Sequence, residues 1–410
     1  MVRDGRRAGG EIRRSELSQT ALKSALRELV AIPSVNPGTS EKAIALHVAR
    51  RLREAGIEPA LIEAMPGRPS VAAVISGDAP GLRLVLNSHL DTVPIGERSG
   101  WSVDPFGGSE NGHVVYGRGA CDDKAGVAIT LALARAYRQR SASIRGSLVC
   151  HFAAGEERAE PGTLALIEAG YGGDFGIVLE ATDLAVASCA RGLVYFTIRL
   201  YGRSGHASDP SKSINPLVGL RYVLEALDDL DQRLRGLTHP LLPSPSCTPT
   251  MVRAGVSENT VPQSCELTVD RRLLPGEDIE AARAEIRECV ERVLRGSAIT
   301  FELETLPMRY EACETDPNSP FVQHVMRQMS ATLGGGPSRL IGTAYSSDMR
   351  VLINDAGMEA VTFGPGRLAD CHAVDERIDI RAVAKAAHAV ARVVETVLST
   401  DSPPDFGSLS

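Results

Sequence analysis

The sequence predicts an α/β protein with a mostly parallel sheet covered by helices on both faces, interrupted by a smaller inserted unit. Three observations carry this. Helix-spaced and strand-like apolar segments alternate from Gln19 to Leu179, the order that builds a parallel sheet through helical crossovers. Between residues 193 and 306 the order becomes β-α-β-β-α-β, the signature of a ferredoxin-like unit. After about Leu306 the α/β character returns. The expected organisation is a loose tail over 1–14, a main domain in two parts (15–192 and 307–400), the inserted unit over 193–306 and a second tail over 401–410.

Leu22, Leu26, Leu29 and Val30 recur at helical spacing, and Ala43 to Ala55 repeats the pattern. The prolines and glycine of Ile32–Gly38 make the link between them a loop. Val71–Ile75, Leu82–Leu86, Ser147–Phe152 and Gly176–Leu179 are short apolar runs, as buried strands are, with helices over Ala125–Ala136 and Gly162–Ala169. In the inserted unit, Val194–Tyr201, Thr248–Arg253, Ser264–Arg271 and Ile299–Leu303 are expected strands. Ile214–Leu227 and Ile279–Leu294 have apolar residues at helical spacing. Phe321–Leu333 (helix), Ala360–Phe363 (strand) and Ile380–Leu398 (helix) complete the chain.

The 410 residues exceed one ordinary core and suit about two domains. A hydrophobic share of 43% and a charged share of 23% are those of a soluble globular protein. The net charge of -7 argues against a nucleic-acid partner, which needs a basic face. No apolar run approaches the roughly 20 residues of a membrane span. The Arg-rich N-terminus lacks the apolar stretch of a secretory signal. The eight cysteines include no CxxC pair, so reduced thiols in a cytoplasmic enzyme are expected.

Five side chains in five separate segments carry metal chemistry. His89-Leu-Asp91 closes a strand, and residues two apart there share a face. A metal-bound histidine commonly gives its other ring N–H to such a carboxylate; a core histidine capped by Asp91 is the structural alternative. Asp122-Asp123 follows a glycine-rich turn and precedes a helix, where an N-cap pair is the alternative. Glu156-Glu157 follows a buried strand: one can bind metal while the other acts as general base, or both are solvated loop residues. Glu180 ends the next strand, and His372 lies beyond Phe363-Gly-Pro-Gly366. Together His89, Asp122, Glu157, Glu180 and His372 offer nitrogen and oxygen donors without thiolate. That set suits two Zn²⁺, with Co²⁺ or Mn²⁺ as substitutes, if one carboxylate bridges.

On these residues the chain resembles the superfamily of acetylornithine deacetylase, succinyl-diaminopimelate desuccinylase and carboxypeptidase G. The matching motifs are Ser88-His-Leu-Asp-Thr-Val-Pro94, Gly117-Arg-Gly-Ala-Cys-Asp-Asp-Lys124, Gly155-Glu-Glu157, Glu180, Gly205-His-Ala207, Asn259-Thr-Val-Pro262, Asp270-Arg-Arg-Leu-Leu-Pro-Gly276 and Gly364-Pro-Gly366 with His372. The resemblance implies a zinc-peptidase-like catalytic domain with an inserted lid and dimerisation domain. It makes Asp122 the bridging ligand, with His89 and Glu180 on one zinc and Glu157 and His372 on the other. Glu156 becomes the general base, Asp91 the partner of His89, and the Asp122–Asp123 peptide cis. His206 would reach a neighbouring subunit's site and hold the oxyanion, although a plain loop histidine is an alternative. Asn259 and Arg272 would bind the substrate's polar end and carboxylate, with a surface ion pair as the other reading of Arg272. Gly364 would shape the substrate pocket or simply make a turn. Asp123 stands where relatives often carry Met, and Ala125 where they often carry Gly. The implied activity is hydrolysis of an amide in a small N-acyl amino acid or peptide-like substrate by a homodimer. A metallo-carboxypeptidase or dipeptidase with the same centre, and a non-catalytic relative serving as a scaffold, are the rival readings.

Overall fold

The computed structural model describes residues 15–141, 144–334 and 338–399. The tails expected over 1–14 and 401–410 lie outside these, as does most of the Gly334–Pro337 loop. The chain divides into two compact units, one of residues up to Ser188, Thr315–Leu340 and Val351 onward, the other of Cys189–Glu314 and Ile341–Arg350.

In the first unit a mixed sheet runs in the order Ala60–Met65, Arg68–Ser76, Arg145–Ala153, Ala79–His89, Phe175–Val178, Glu359–Thr362. The last four are parallel neighbours, so the expected mostly parallel centre is borne out. The first two are antiparallel, Ala60–Met65 against Arg68–Ser76 and the latter against Arg145–Ala153. The Met65↔Arg68 pair closes on a Pro66-Gly67 turn, and so tight a connection permits only antiparallel pairing.

The helices Gln19–Val30 and Ile380–Val397 each bury one face, through Leu22, Leu26 and Leu29 and through Val383, Val390 and Val394, whereas Lys124–Arg138 is buried nearly all round, from Lys124 to Ala134 without a break. Ser18, Asp123 and Asp379 cap their N-termini through side-chain oxygens, satisfying one of the orphan N–H groups at each end. The expected helix from Gly162 stops at Leu166 and passes into a π turn, Ile167–Tyr171, where Gly170 takes φ 89°.

The second unit has four antiparallel strands in the order Ser246–Ala254, Ser264–Leu273, Gly192–Tyr201, Thr300–Tyr310. Helices Pro216–Leu234 and Ile279–Leu294 complete the β-α-β-β-α-β order. Val194, Phe196, Ile198 and Leu200 are buried with Leu227, Leu267, Val269 and Ile286. The unit is wider than residues 193–306 because its entering and leaving strands pair, Ala190 with Cys313 and Cys189 with Glu314. Residues 341–350 join it through Arg191 N–H on the Thr343 carbonyl (3.0 Å) and Arg350 on Glu311 (3.0 Å).

Candidate metal centre

In the first unit the parallel strands deliver their residues to one edge. His89 ends its strand, Glu156 and Glu157 follow Ala153, Glu180 lies two residues beyond Val178, and Gly364 lies two beyond Thr362. Open α/β sheets present ligand sites at this carboxyl edge. Asp122 enters from the turn before Lys124–Arg138. Tyr116 pairs with Arg377, which carries the 372–376 segment alongside that turn.

The five expected donors converge. His89 Nε2 lies 3.0 Å from Asp122 Oδ1 and 3.4 Å from Glu180 Oε1. His372 Nε2 lies 3.2 Å from Asp122 Oδ2 and 3.1 Å from Glu157 Oε2. Asp122 therefore turns one oxygen to each imidazole. Ligand atoms of His89, Glu156 and Glu180 fall within 4.8 Å of one another, and so do those of His89, Asp122 and Glu157. The His89 side is buried; the His372 side chain is 51% exposed and marks the open side. Both Nε2 atoms face carboxylate oxygens that a divalent cation would share, and no thiol enters the set, so the donors fit a pair of oxygen- and nitrogen-seeking metals.

The two adjacent aspartates divide their work. Asp122 faces the histidines, whereas Asp123 caps the helix through the Gly126 N–H (3.2 Å) and accepts the His89 backbone N–H (3.1 Å). The peptide between them is cis, as expected.

Asp91 meets His89 and also holds the turn after the neighbouring strand. The shortest contact of His89 Nδ1 there is the Asp91 main-chain carbonyl, at 3.0 Å, with Asp91 Oδ1 at 3.5 Å. The Asp91 carboxylate accepts the backbone N–H groups of Gly155 (3.0 Å), Glu156 (3.1 Å) and Glu157 (3.2 Å), and Asn36 Nδ2 (3.0 Å). Gly155, at φ 86°, supplies the left-handed backbone that lets three successive N–H groups converge. Asn36 lies in the loop that sequence marks only by its prolines and glycine. It also reaches Glu160, at 2.8 Å.

Electrostatics follow from crowding acids and imidazoles in a dry site. Burial pushes the Asp122 carboxyl up, but the His372 and His89 rings outweigh it and hold the group below the usual carboxylate range. Burial and the Asp122 charge raise Glu157 to about 7. Contacts with Asp122 and then Glu157 raise His372 to about 10. Burial opposes charging His89, yet Asp122, Asp91 and Glu180 together lift it well above an ordinary imidazole.

The model for Peptidase family M20/M25/M40 matches residues 85–396. The chain belongs to this family. The superfamily expected from the motifs is thereby borne out, and as a family member the chain is a hydrolase of amide bonds in a metal-dependent class. It is 30% identical over 403 residues to the succinyl-diaminopimelate desuccinylase of Methylorubrum populi, covering 94% of this chain and 100% of that one. It is 25% identical over 371 residues to the N-formyl-4-amino-5-aminomethyl-2-methylpyrimidine deformylase of Bacillus subtilis, covering 84% and 86%. Its fold matches the crystal structure of the Bacillus subtilis YXEP protein, a dinuclear metal binding peptidase from the M20 family. There the TM-score is 0.72 at 20% identity, covering 94% and 99%.

The remaining expected residues of this M20 protein lie in the second unit, apart from Gly364. His206 and Asn259 are neighbours: His206 pairs with Thr260, and Ala207 N–H donates to the Asn259 carbonyl at 2.9 Å. Both side chains are exposed. Ser208 N–H donates to His206 Nδ1 (3.1 Å), which leaves the Nε2 proton of a neutral ring available as a donor. Arg272 grips Asp270 with Nε (2.9 Å) and Nη2 (3.1 Å). Arg271, on the opposite face, is buried against Glu277 and Glu285. Gly364 lies so close to Glu180 that a Cβ would come 2.4 Å from the Glu180 carbonyl oxygen. Among the described residues no helix is long and apolar enough to cross a membrane.

Proposed function

We propose that this M20 protein is a two-metal deacylase that hydrolyses the amide bond of a small N-acyl amino acid. The observation that carries the reading is Asp122, whose two oxygens meet His89 at 3.0 Å and His372 at 3.2 Å. His89, Asp122 and Glu180 would hold one divalent cation and Asp122, Glu157 and His372 the other. Zn²⁺ suits the donors, with Co²⁺ or Mn²⁺ as substitutes. When bound, such a pair polarises a carbonyl and acidifies water near neutral pH.

The chain's own residues supply the rest. Glu156, buried beside His89 and Glu180, takes the proton of the attacking water and passes it to the leaving amine. His206 Nε2–H would donate to the developing oxyanion at a neighbouring subunit's site. Asn259 and Arg272 hold the polar end and carboxylate of the substrate, and Gly364 lines its pocket. Asp270 pre-orients the Arg272 fork, which retains further N–H groups for bidentate recognition. A deacylase is favoured over a peptidase by the desuccinylase and deformylase names of the two relatives.

A homodimer through the second unit fits its surface. The edge strand Ser246–Ala254 exposes Met251 and Val252, and helix Pro216–Leu234 exposes Leu217, Val218, Tyr222 and Leu224. A long exposed edge of this kind invites pairing. The free cysteines fit a cytoplasmic setting.

Zn²⁺- or Co²⁺-loaded protein, offered acetyl-, succinyl- and formyl-amino acids beside dipeptides, is expected to cleave the acyl series. Turnover of dipeptides alone would replace the reading with a dipeptidase or carboxypeptidase. No turnover with two cations bound would leave a scaffold.

A further inference from the structure

Glu376 is fully buried four residues after His372, and all its acceptor positions are used. Oε1 takes the backbone N–H groups of Cys121 (2.9 Å) and Asp122 (3.0 Å). Oε2 takes the N–H of Gly119 (3.0 Å) and Arg118 Nη1 (2.5 Å). Arg118, itself buried, donates through Nη2 to the carbonyls of His372 and Pro94, both at 3.3 Å. The pair therefore touches the main chain of Asp122 on one side and of His372 on the other. These are the two residues whose side chains meet through His372 Nε2 and Asp122 Oδ2. His372 and Asp375 take φ 58° and 55°, left-handed values that non-glycine residues adopt only when surrounding contacts over-determine them.

A buried ion pair is a poor source of stability, because apolar replacements are often neutral or stabilising. What this pair adds is registry between two segments far apart in sequence. We infer that Glu376, with Arg118, is a positioning residue that fixes Asp122 relative to His372 and so governs how tightly the centre holds its cations; this rests on the function proposed above. Neither residue faces the donors directly, so the effect passes through the backbone that carries them. Groups that orient metal ligands in this way typically cost 10- to 100-fold in metal affinity or activity when changed.

The test is Co²⁺ titration of the full-length protein, read by visible absorption and calorimetry, on wild type, Glu376→Gln and Arg118→Lys. Each is first checked by circular dichroism and cation-free melting. Glu376→Gln keeps the shape but sets an amide N–H₂ against N–H donors. Arg118→Lys keeps the charge but loses the fork that reaches His372. Both are expected to bind Co²⁺ about 10- to 100-fold more weakly than wild type and with an altered absorption band. If Glu376→Gln does not fold, Arg118→Lys decides. Folded variants with wild-type affinity and spectrum overturn the inference alone. A wild-type chain that takes up no Co²⁺ overturns the metallohydrolase reading, and the inference with it.

Discussion

The Asp91 carboxylate accepts the backbone N–H of Glu156 at 3.1 Å, and the same group holds the N–H of Gly155 and Glu157. Three successive N–H groups around one anion form a nest. The nest here sets the direction of both glutamates that the proposed chemistry needs. Asp91 thus orients His89 mainly through its carbonyl and orients the Glu156–Glu157 turn through its side chain. Asp91→Asn would turn an N–H₂ toward backbone donors. It is expected to lower the rate of N-acyl amino acid hydrolysis about 10- to 100-fold, measured by steady-state kinetics. Wild-type kcat would show that the nest does not position the turn.

Glu156 is buried within reach of His89 and Glu180, close enough to serve the attacking water without being needed as a ligand. Glu156→Gln is expected to lose about 10²- to 10⁴-fold in kcat while metal analysis still finds two cations per chain. Activity near that of wild type would remove Glu156 from proton transfer. Loss of a cation would make it a ligand instead.

His89, Glu157 and Glu180 were legible because each lies at or just beyond a strand end, and parallel strands with helical crossovers bring their carboxyl ends to one edge. Asp122, in a turn, and His372, in a late loop, were marked by their motifs alone. The roles of Asp122 and Asp123 were only half legible: sequence marked the pair, but only the folded turn assigns one to the histidines and the other to the helix cap. The roles of Asn36, Arg118 and Glu376 were not legible because their partners lie far away in sequence and meet only after folding. Those partners are the Asp91 and Glu160 carboxylates for Asn36, and each other with the main chain of two turns for Arg118 and Glu376. The widened second unit was not legible for a similar reason. Cys189 and Glu314 become neighbours through pairing between strands more than a hundred residues apart, and periodicity within a segment carries no trace of that.

Gly364 has two possible roles that one variant separates. A Cβ there would press on the Glu180 carbonyl oxygen at 2.4 Å and the carbonyl carbon at 3.1 Å. These are backbone atoms that cannot swing aside as a flexible side chain would. Gly364→Ala is therefore expected to push Glu180 away from His89, weaken Zn²⁺ uptake, and reduce kcat by about 10²-fold, the scale of an ångström-sized misplacement. Calorimetric Zn²⁺ titration beside kinetics reads both. Unchanged uptake with a raised KM would instead assign Gly364 to the substrate pocket alone.

His151 makes stability depend on pH away from the centre. It is fully buried on the strand Arg145–Ala153, with Nε2–H donating to the Tyr171 carbonyl at 2.8 Å and no partner for Nδ1 among the described residues. Burial, with Arg83 in support and the Tyr171 carbonyl opposing, lowers its pKa to about 4. The unfolded chain would titrate near 6.5. Above that value both states carry a neutral ring, and there is no penalty. As pH falls from 6.5 toward 4 the unfolded chain binds a proton that the folded one refuses, so stability declines, and below 4 the loss levels off. At about pH 5 this amounts to roughly 2 kcal/mol. His151→Asn can still donate to Tyr171 but does not titrate. Urea unfolding of cation-free protein at about pH 7.5 and about pH 5 should show a smaller acid-induced loss in the variant by that amount, since every other titrating group is shared. Equal losses in the two proteins would mean that His151 accepts a proton in the folded state as readily as in the unfolded one.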